Sequence, residues 1–355
     1  MRQSGGNRYK KKRKSYHSRV NTIVLVLTLL LAGICAFYSM QSKDETPDEA
    51  LLAAAGAVLN GAESIDIADI EATAVTRWLE QLWTKLLGLG EARPVAAITN
   101  DNLLTVHFID IGQGKSILVQ NGSHTALIDV GENGMGTTVI DYLKRQNVQA
   151  IDLLVGTHPH SDHIGDMDEI IKKFPIGQLL MPDVPEAIIP TSRTYLDLLT
   201  AIDEYDVDLL MARPGQKFAL GDMRFTVLGP VRDYDDLNNI SVVLRLDYGG
   251  HTFLFTGDME KAAEKDVLAS GRAVAADVLD VAHHGSATSS HKDFLDAVKP
   301  QIAVISCGID NSYGHPVRSV VESIADRGAD IFRTDLDGTV VITSDGKALT
   351  VDTQK

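Results

Sequence analysis

The run His158-Pro-His160-Ser-Asp162-His163 constrains this chain more than any other feature. It sets three imidazoles and a carboxylate within six residues. Such groups are costly to bury unless they are paired or coordinate a metal. They match the nitrogen and oxygen ligand set of zinc, and also that of manganese or iron. The segment before them, 151–157, is apolar and reads as a buried strand. The run therefore sits on a loop at the strand's carboxyl end, and the fold must bring other strand ends to the same place.

Three later segments repeat the arrangement. The strand expected at 252–256 ends in Gly257-Asp258, where a carboxylate can bridge two metals. The strand at 277–282 ends in His283-His284-Gly285-Ser286, and the strand at 302–306 leads to Asn311-Ser-Tyr313-Gly-His315-Pro316. Four strand ends converging on one edge are what a metal-dependent hydrolase site requires. Further strands are expected at 103–109, 116–120 and 126–130, the last ending near Asp129. Others are expected at 241–246, paired across Gly249-Gly250, at 331–334, and in a closing hairpin of 338–343 with 349–352. Helices are expected at 136–146, 292–298 and 318–327. Strands outnumber helices and their order is mixed, which favours a layered α/β sandwich over a doubly wound sheet.

Several pieces carry a family resemblance: His107-Phe-Ile-Asp-Ile-Gly-Gln-Gly114, Leu127-Ile-Asp-Val-Gly131, Thr157-His-Pro-His-Ser-Asp-His-Ile-Gly165, Asn238-Asn-Ile-Ser-Val-Val-Leu244, Phe255-Thr-Gly-Asp258, Asp277-Val-Leu-Asp-Val-Ala-His-His-Gly-Ser286 and Tyr313-Gly-His-Pro316. In order and spacing they resemble the metallo-β-lactamase superfamily, and within it the hydrolase domain of ComEC-type competence DNA-uptake proteins. The multi-span channel of those proteins has no counterpart here. The resemblance implies an αββα four-layer sandwich holding two divalent metal ions, zinc or manganese. By that pattern His158 and His160 hold the first ion, Asp162, His163 and His284 hold the second, and Asp258 bridges them. His284 is preferred to His283 because the family's ligand usually precedes a glycine.

The same pattern makes Asp129 a brace for the metal loop; catalysis is expected to rest on Asp162, with His315 or His283 as the donor and leaving-group acid. Many members supply a further histidine to the first metal. Asn238, Asn239 and Ser241 occupy that stretch, with Asn239 or water expected to complete the site. Lys115 stands where the family usually has an acid, so it is expected to bind a substrate phosphate, alongside Ser286, Asn311 and Tyr313. Gly114-Lys115-Ser116 is not a nucleotide P-loop, because Ile109 stands where its first glycine is needed. No nucleotide cofactor is expected.

Charge divides the chain. Arg2, Arg8, Lys10, Lys11, Lys12, Arg13, Lys14 and Arg19 precede an uncharged stretch, 20–42, long enough to cross a bilayer. The basic cluster predicts a cytoplasmic N-terminus and an extracytoplasmic body. The expected organisation is a basic tail (1–19), an anchor (20–42), an acidic and Ala-rich linker with an amphipathic helix (43–101), and a hydrolase domain (102–355). The net charge of -15 means the body repels nucleic acid at long range. Cys35 and Cys307 form no disulfide framework. The expected function is a membrane-anchored phosphodiesterase or nuclease, with DNA the substrate implied by the resemblance. The alternatives are a phosphorylcholine or other phosphate esterase of the cell envelope, and a metal-binding module that has lost turnover.

Overall fold

A computed structural model describes residues 103–355. The first sheet begins as an antiparallel meander of β1 (Leu104–Phe108), β2 (Ile117–Asn121) and β3 (His124–Ile128). It continues through parallel β4 (Ile151–Val155), β5 (Ile176–Met181) and β6 (Leu209–Met211). The second sheet runs antiparallel from β7 (Lys217–Leu220) through β8 (Met223–Gly229) and β9 (Val243–Tyr248) to β10 (His251–Phe255). It turns parallel for β11 (Val278–Asp280), β12 (Ile302–Ile305) and β13 (Asp330–Arg333). The closing hairpin, β14 (Val340–Ser344) and β15 (Leu349–Thr353), returns to pair with β1 in the first sheet. That sheet has the order β15-β14-β1-β2-β3-β4-β5-β6, and the second β13-β12-β11-β10-β9-β8-β7.

Successive residues of a strand point to opposite faces, and here both faces of each sheet are covered. Val106, Val119, Leu153 and Val155 of the first sheet pack with Phe225, Leu244, Phe253 and Val278 of the second. The outward residues Leu118, Leu127, Leu154 and Leu179 pack with Val139 and Leu143 of α1 (Gly136–Arg145). Past a single turn, α2 (Ser161–Ile164), the same layer gains Ile170 of α3 (Met167–Lys173) and Leu198 of α4 (Arg193–Glu204). Behind the second sheet, Leu254, Leu279 and Ala303 meet Val267 of α5 (Lys261–Ala269), Leu295 of α6 (Lys292–Val298) and Ile324 of α7 (Arg318–Ala325). The result is the four-layer αββα sandwich. Each large apolar side chain fully buried in it contributes about 1.5–3 kcal/mol.

The hairpin at Gly249-Gly250 and the helix at Lys292–Val298 lie where the sequence patterns put them. The stretch 165–240 holds α3, β5, α4, β6, β7 and β8, none of which those patterns announce. α3 spans two turns and β6 three residues, too short to show a period. α4 does carry a start signal, since the Ser192 hydroxyl accepts from the Tyr195 N–H. Among the described residues no helix is long and apolar enough to cross a membrane. The expected tail, anchor and linker helix lie outside the described residues.

His107 shows what the double-sided packing does to a titratable group. Its ring is fully buried between the Tyr142 hydroxyl (2.8 Å) and the Thr105 hydroxyl (2.9 Å). Burial pulls its pKa from 6.5 down to about 3. Between those values the unfolded chain binds a proton that the folded chain refuses. Stability from the neutral ring is therefore complete above pH 6.5 and is lost as pH falls toward about 3. The loss is on the order of 5 kcal/mol. His107→Gln should flatten the urea-unfolding free energy across that window. A variant with the wild-type pH slope would assign the acid sensitivity elsewhere.

Candidate metal centre

The site lies at the carboxyl ends of the parallel strands, where α/β sheets place their ligands. β4 delivers His158 and His160, and the single turn of α2 folds Asp162 and His163 back against the sheet. Asp129 directly follows β3, Asp258 stands in the turn after β10, and His284 stands in the turn after β11. Asp162, His163, Asp258 and His284 each offer a ligand atom, all within 4.8 Å of one another. His163 Nε2 lies 3.2 Å from Asp258 Oδ2, and His284 Nε2 lies 3.2 Å from Asp162 Oδ2 and 3.5 Å from Asp258 Oδ2.

The outer nitrogens decide which way the lone pairs point. His163 Nδ1 donates to Asp129 Oδ2 at 2.7 Å, and His284 Nδ1 donates to the Ser306 carbonyl at 2.8 Å. With the ring protons held there, both Nε2 lone pairs face inward. His163 Nε2, His284 Nε2 and Asp258 Oδ1 are buried without a hydrogen-bond partner. Lone pairs facing carboxylates in a buried space repel unless a cation sits among them, so these residues fit a divalent metal ion. The charges agree. Burial opposes the imidazolium of His163, yet Asp258 and Asp129 hold its pKa well above the ordinary value. Burial likewise opposes the Asp258 carboxylate, yet His163 and His284 hold its pKa well below the ordinary value. The cluster demands positive charge at its centre.

His158 and His160 lie beside this group. His158 is fully buried, with its ring centroid 4.2 Å from that of His163, and its Nε2 faces His160 Nδ1 at 2.9 Å. Two ring nitrogens that close share either a proton or a cation. Asn239 does not complete this pair. Its Oδ1 accepts the N–H groups of Glu260 and Ala263 and its Nδ2 donates to Asp236, so it caps α5. Its neighbour Asn238 lines the cavity instead, with a buried Oδ1 that has no partner. His251 is remote, bonded to Ser344.

The cavity over the cluster has a volume of about 280 Å3. His283, His315, Tyr313 and Gln113 line it together with His160, Asp162, Asp258 and His284. His283 Nδ1 is held by Glu260 Oε1 (3.3 Å) and the Thr288 hydroxyl (3.2 Å), and its Nε2 lies 3.8 Å from Asp258 Oδ2. His283 and His284 both have left-handed backbone, with φ 51° and 54°. Non-glycine residues rarely adopt it, at a cost of about 1–3 kcal/mol each where the conformation is strained. The His315 ring stacks beneath Tyr313 and its buried Nδ1 is unpartnered. Burial, then His283 and His284, lower its pKa, so the ring is neutral near pH 7.

Three residues expected to touch substrate do not reach the cavity. Lys115 has no exposed surface, and its ammonium is paired with Asp280 at 2.8 Å beneath the site. Asn311 donates to the Gly308 and His315 carbonyls and accepts the His315 N–H, shaping the loop that presents Tyr313. Ser286 is buried in a turn with Thr288. Gln113 and Asn238 line the cavity and Glu260 braces His283; Gln113 and Asn238 stood within quoted motifs without an assigned role, and Glu260 stood outside them. Glu260 alone had a local signal, as an acid two residues after Asp258.

Residues 109–309 match the family described as the Metallo-beta-lactamase superfamily. ComE operon protein 3 of Bacillus subtilis (strain 168) is 32% identical over 256 residues, covering 66% of this chain and 32% of that protein. Competence protein ComA of Neisseria gonorrhoeae is 33% identical over 262 residues, covering 72% and 34%. The chain thus spans about a third of the length of these relatives. A metallo hydrolase of the archaeon Ignicoccus hospitalis KIN4/I aligns over 67% of this chain and 98% of its own, with a TM-score of 0.44 and 20% identity.

Proposed function

Because this chain belongs to the metallo-beta-lactamase superfamily, we propose that its described domain is a metal-dependent phosphodiesterase with DNA as substrate. The observation that carries the hydrolase reading is the set of unpartnered lone pairs on His163, His284 and Asp258 converging beneath a cavity. DNA is supported by the likeness to competence proteins. Asp162, His163, Asp258 and His284 would hold one ion, and His158 and His160 with Asp258 a second, with the Asn238 Oδ1 beside them. Bound there, divalent ions supply Lewis-acid polarisation of a phosphoryl group and an activated water.

The remaining roles fall to side chains. Glu260 fixes the His283 ring so that Nε2 faces the cavity, placed to give a proton to the leaving oxygen. His315 offers an unpaired nitrogen on the neighbouring wall. Tyr313, 66% exposed at the mouth, offers a face on which a base can stack. The alternative phosphorylcholine reading needs an aromatic cage. Among the described residues lining the cavity, Tyr313 is the one aromatic besides histidine. Tyr234 is engaged by Arg232 and Asp266.

The test is turnover by the metal-loaded chain of single-stranded DNA, plasmid and phosphorylcholine esters. Cleavage of DNA supports the reading, whereas a chain that binds metal stoichiometrically and turns over none of them is a binding module. Among the described residues no lysine or arginine lines the cavity, so binding should neutralise one or two phosphates. The slope of log affinity against log salt is then expected near about -1 to -2. A slope of about -5 or steeper would require an extended basic track and overturn this binding mode. We further read the uncharged stretch 20–42 as a membrane anchor that holds the domain outside the cell. Protease added to intact cells should digest the domain, and full protection would reverse that topology.

A further inference from the structure

We infer that Lys115 is the positioning residue of the metal centre: one buried residue ties together the three loops that carry the four converging ligands. Its backbone N–H donates to the Asp162 carbonyl at 3.0 Å, anchoring the loop of Asp162 and His163. Its ammonium donates to the Gly257 carbonyl at 3.1 Å, one residue before Asp258. The same nitrogen donates to Asp280 Oδ2 at 2.8 Å and reaches the Val281 carbonyl at 3.4 Å, at the root of the turn that presents His284. An ammonium has three N–H donors, and each finds an acceptor here.

Asp280 completes the brace. Its Oδ2 also accepts the Thr256 N–H at 3.3 Å, and its carbonyl accepts the Thr256 hydroxyl at 2.6 Å, so the ends of β10 and β11 are locked side by side. Gly114 lets the chain pass this close, because a Cβ there would lie 2.6 Å from the Asp162 carbonyl oxygen. A fully buried ion pair is weak evidence for stability, since desolvation offsets its attraction. What the pair does supply is geometry. Three backbone segments distant in sequence are held to one point beneath the ligands, and an aliphatic side chain of equal length has nothing to offer the carbonyls. Metal affinity depends on such outer partners.

This inference rests on reading the cluster as a metal site, and the experiment separates the two. The purified full chain is titrated with Co2+ and followed by its visible ligand-field bands, and melting of the metal-free protein is followed by circular dichroism. Lys115→Met leaves the Asp280 carboxylate buried and unpaired, which puts folding itself at risk. Lys115→Met/Asp280→Asn removes both charges and keeps an acceptor for Thr256. The double variant is expected to melt close to wild type without metal. Its Co2+ dissociation constant should rise about 10–100-fold, with altered ligand-field bands at saturation, a signature that a purely structural role would leave unchanged. A folded double variant with wild-type affinity and spectrum overturns the positioning role. A wild-type chain that fails to bind Co2+ overturns the metal reading and this inference with it.

Discussion

Asp258→Asn is expected to lower metal-dependent hydrolysis by at least about 10²–10³-fold, the scale of losing one group that fixes charge in an active site, while the chain still folds. Asp258 is 2% exposed and its Oδ1 has no partner. Its Oδ2 lies 3.2, 3.5 and 3.8 Å from the Nε2 atoms of His163, His284 and His283. Among the described residues no other carboxylate faces all three rings. An amide keeps the shape, halves the acceptor capacity and removes the charge. The backbone survives because the Asp258 N–H bond to the Ser241 hydroxyl, at 3.0 Å, does not involve the substituted atoms. Steady-state kinetics on bis(p-nitrophenyl) phosphate, with metal content measured in parallel, check it. Activity within threefold of wild type would remove Asp258 from the centre.

Asp129→Asn is expected to weaken metal binding about 10–100-fold and to cost about 1–3 kcal/mol of stability. The Asp129 carboxylate is fully buried and accepts from the Thr157 N–H (2.8 Å), the Thr157 hydroxyl (2.8 Å) and His163 Nδ1 (2.7 Å). An amide has one acceptor oxygen, so its NH2 must confront one of these donors. If that donor is His163, the ring loses the bond that aims Nε2 at the cluster. The backbone does not confuse the result, because asparagine tolerates the left-handed conformation that Asp129 adopts at φ 59°. Urea unfolding and a Co2+ titration report the two effects separately. Unchanged metal affinity in a destabilised variant would leave Asp129 a purely structural residue.

The ligand-bearing strand ends were legible because the relevant signals are local. An apolar run long enough for a strand, followed at once by His158 or Asp258 or His284, says that the group lies at a sheet edge. Parallel strands with helices behind them bring such edges together. The directions of side chains within the turns were not legible. Asn238 and Asn239 are chemically identical neighbours, yet one lines the cavity and the other caps a helix through Glu260 and Ala263. Lys115 follows a glycine-rich turn and reads as a substrate cation, but its partner Asp280 lies 165 positions along the chain. Asn311 beside Tyr313 looks equally fit for substrate, and its hydrogen bonds are spent within its own loop.

By itself, the sequence determined that His158, His160, Asp162 and His163 stand on one loop after a buried strand, that Asp258 and His284 end two others, and hence that this is a metal-binding α/β sandwich. Tertiary structure alone decided which lone pairs face inward, that Asn238 lines the cavity while Glu260 braces His283, and that Lys115 is buried beneath the site. The physical reason is range. Strand periodicity and the placement of a residue after a strand are set within a few residues. The aim of a side chain at a strand end is set by partners such as Ser306 for His284 and Asp280 for Lys115, which reach the site only when the sheets have formed.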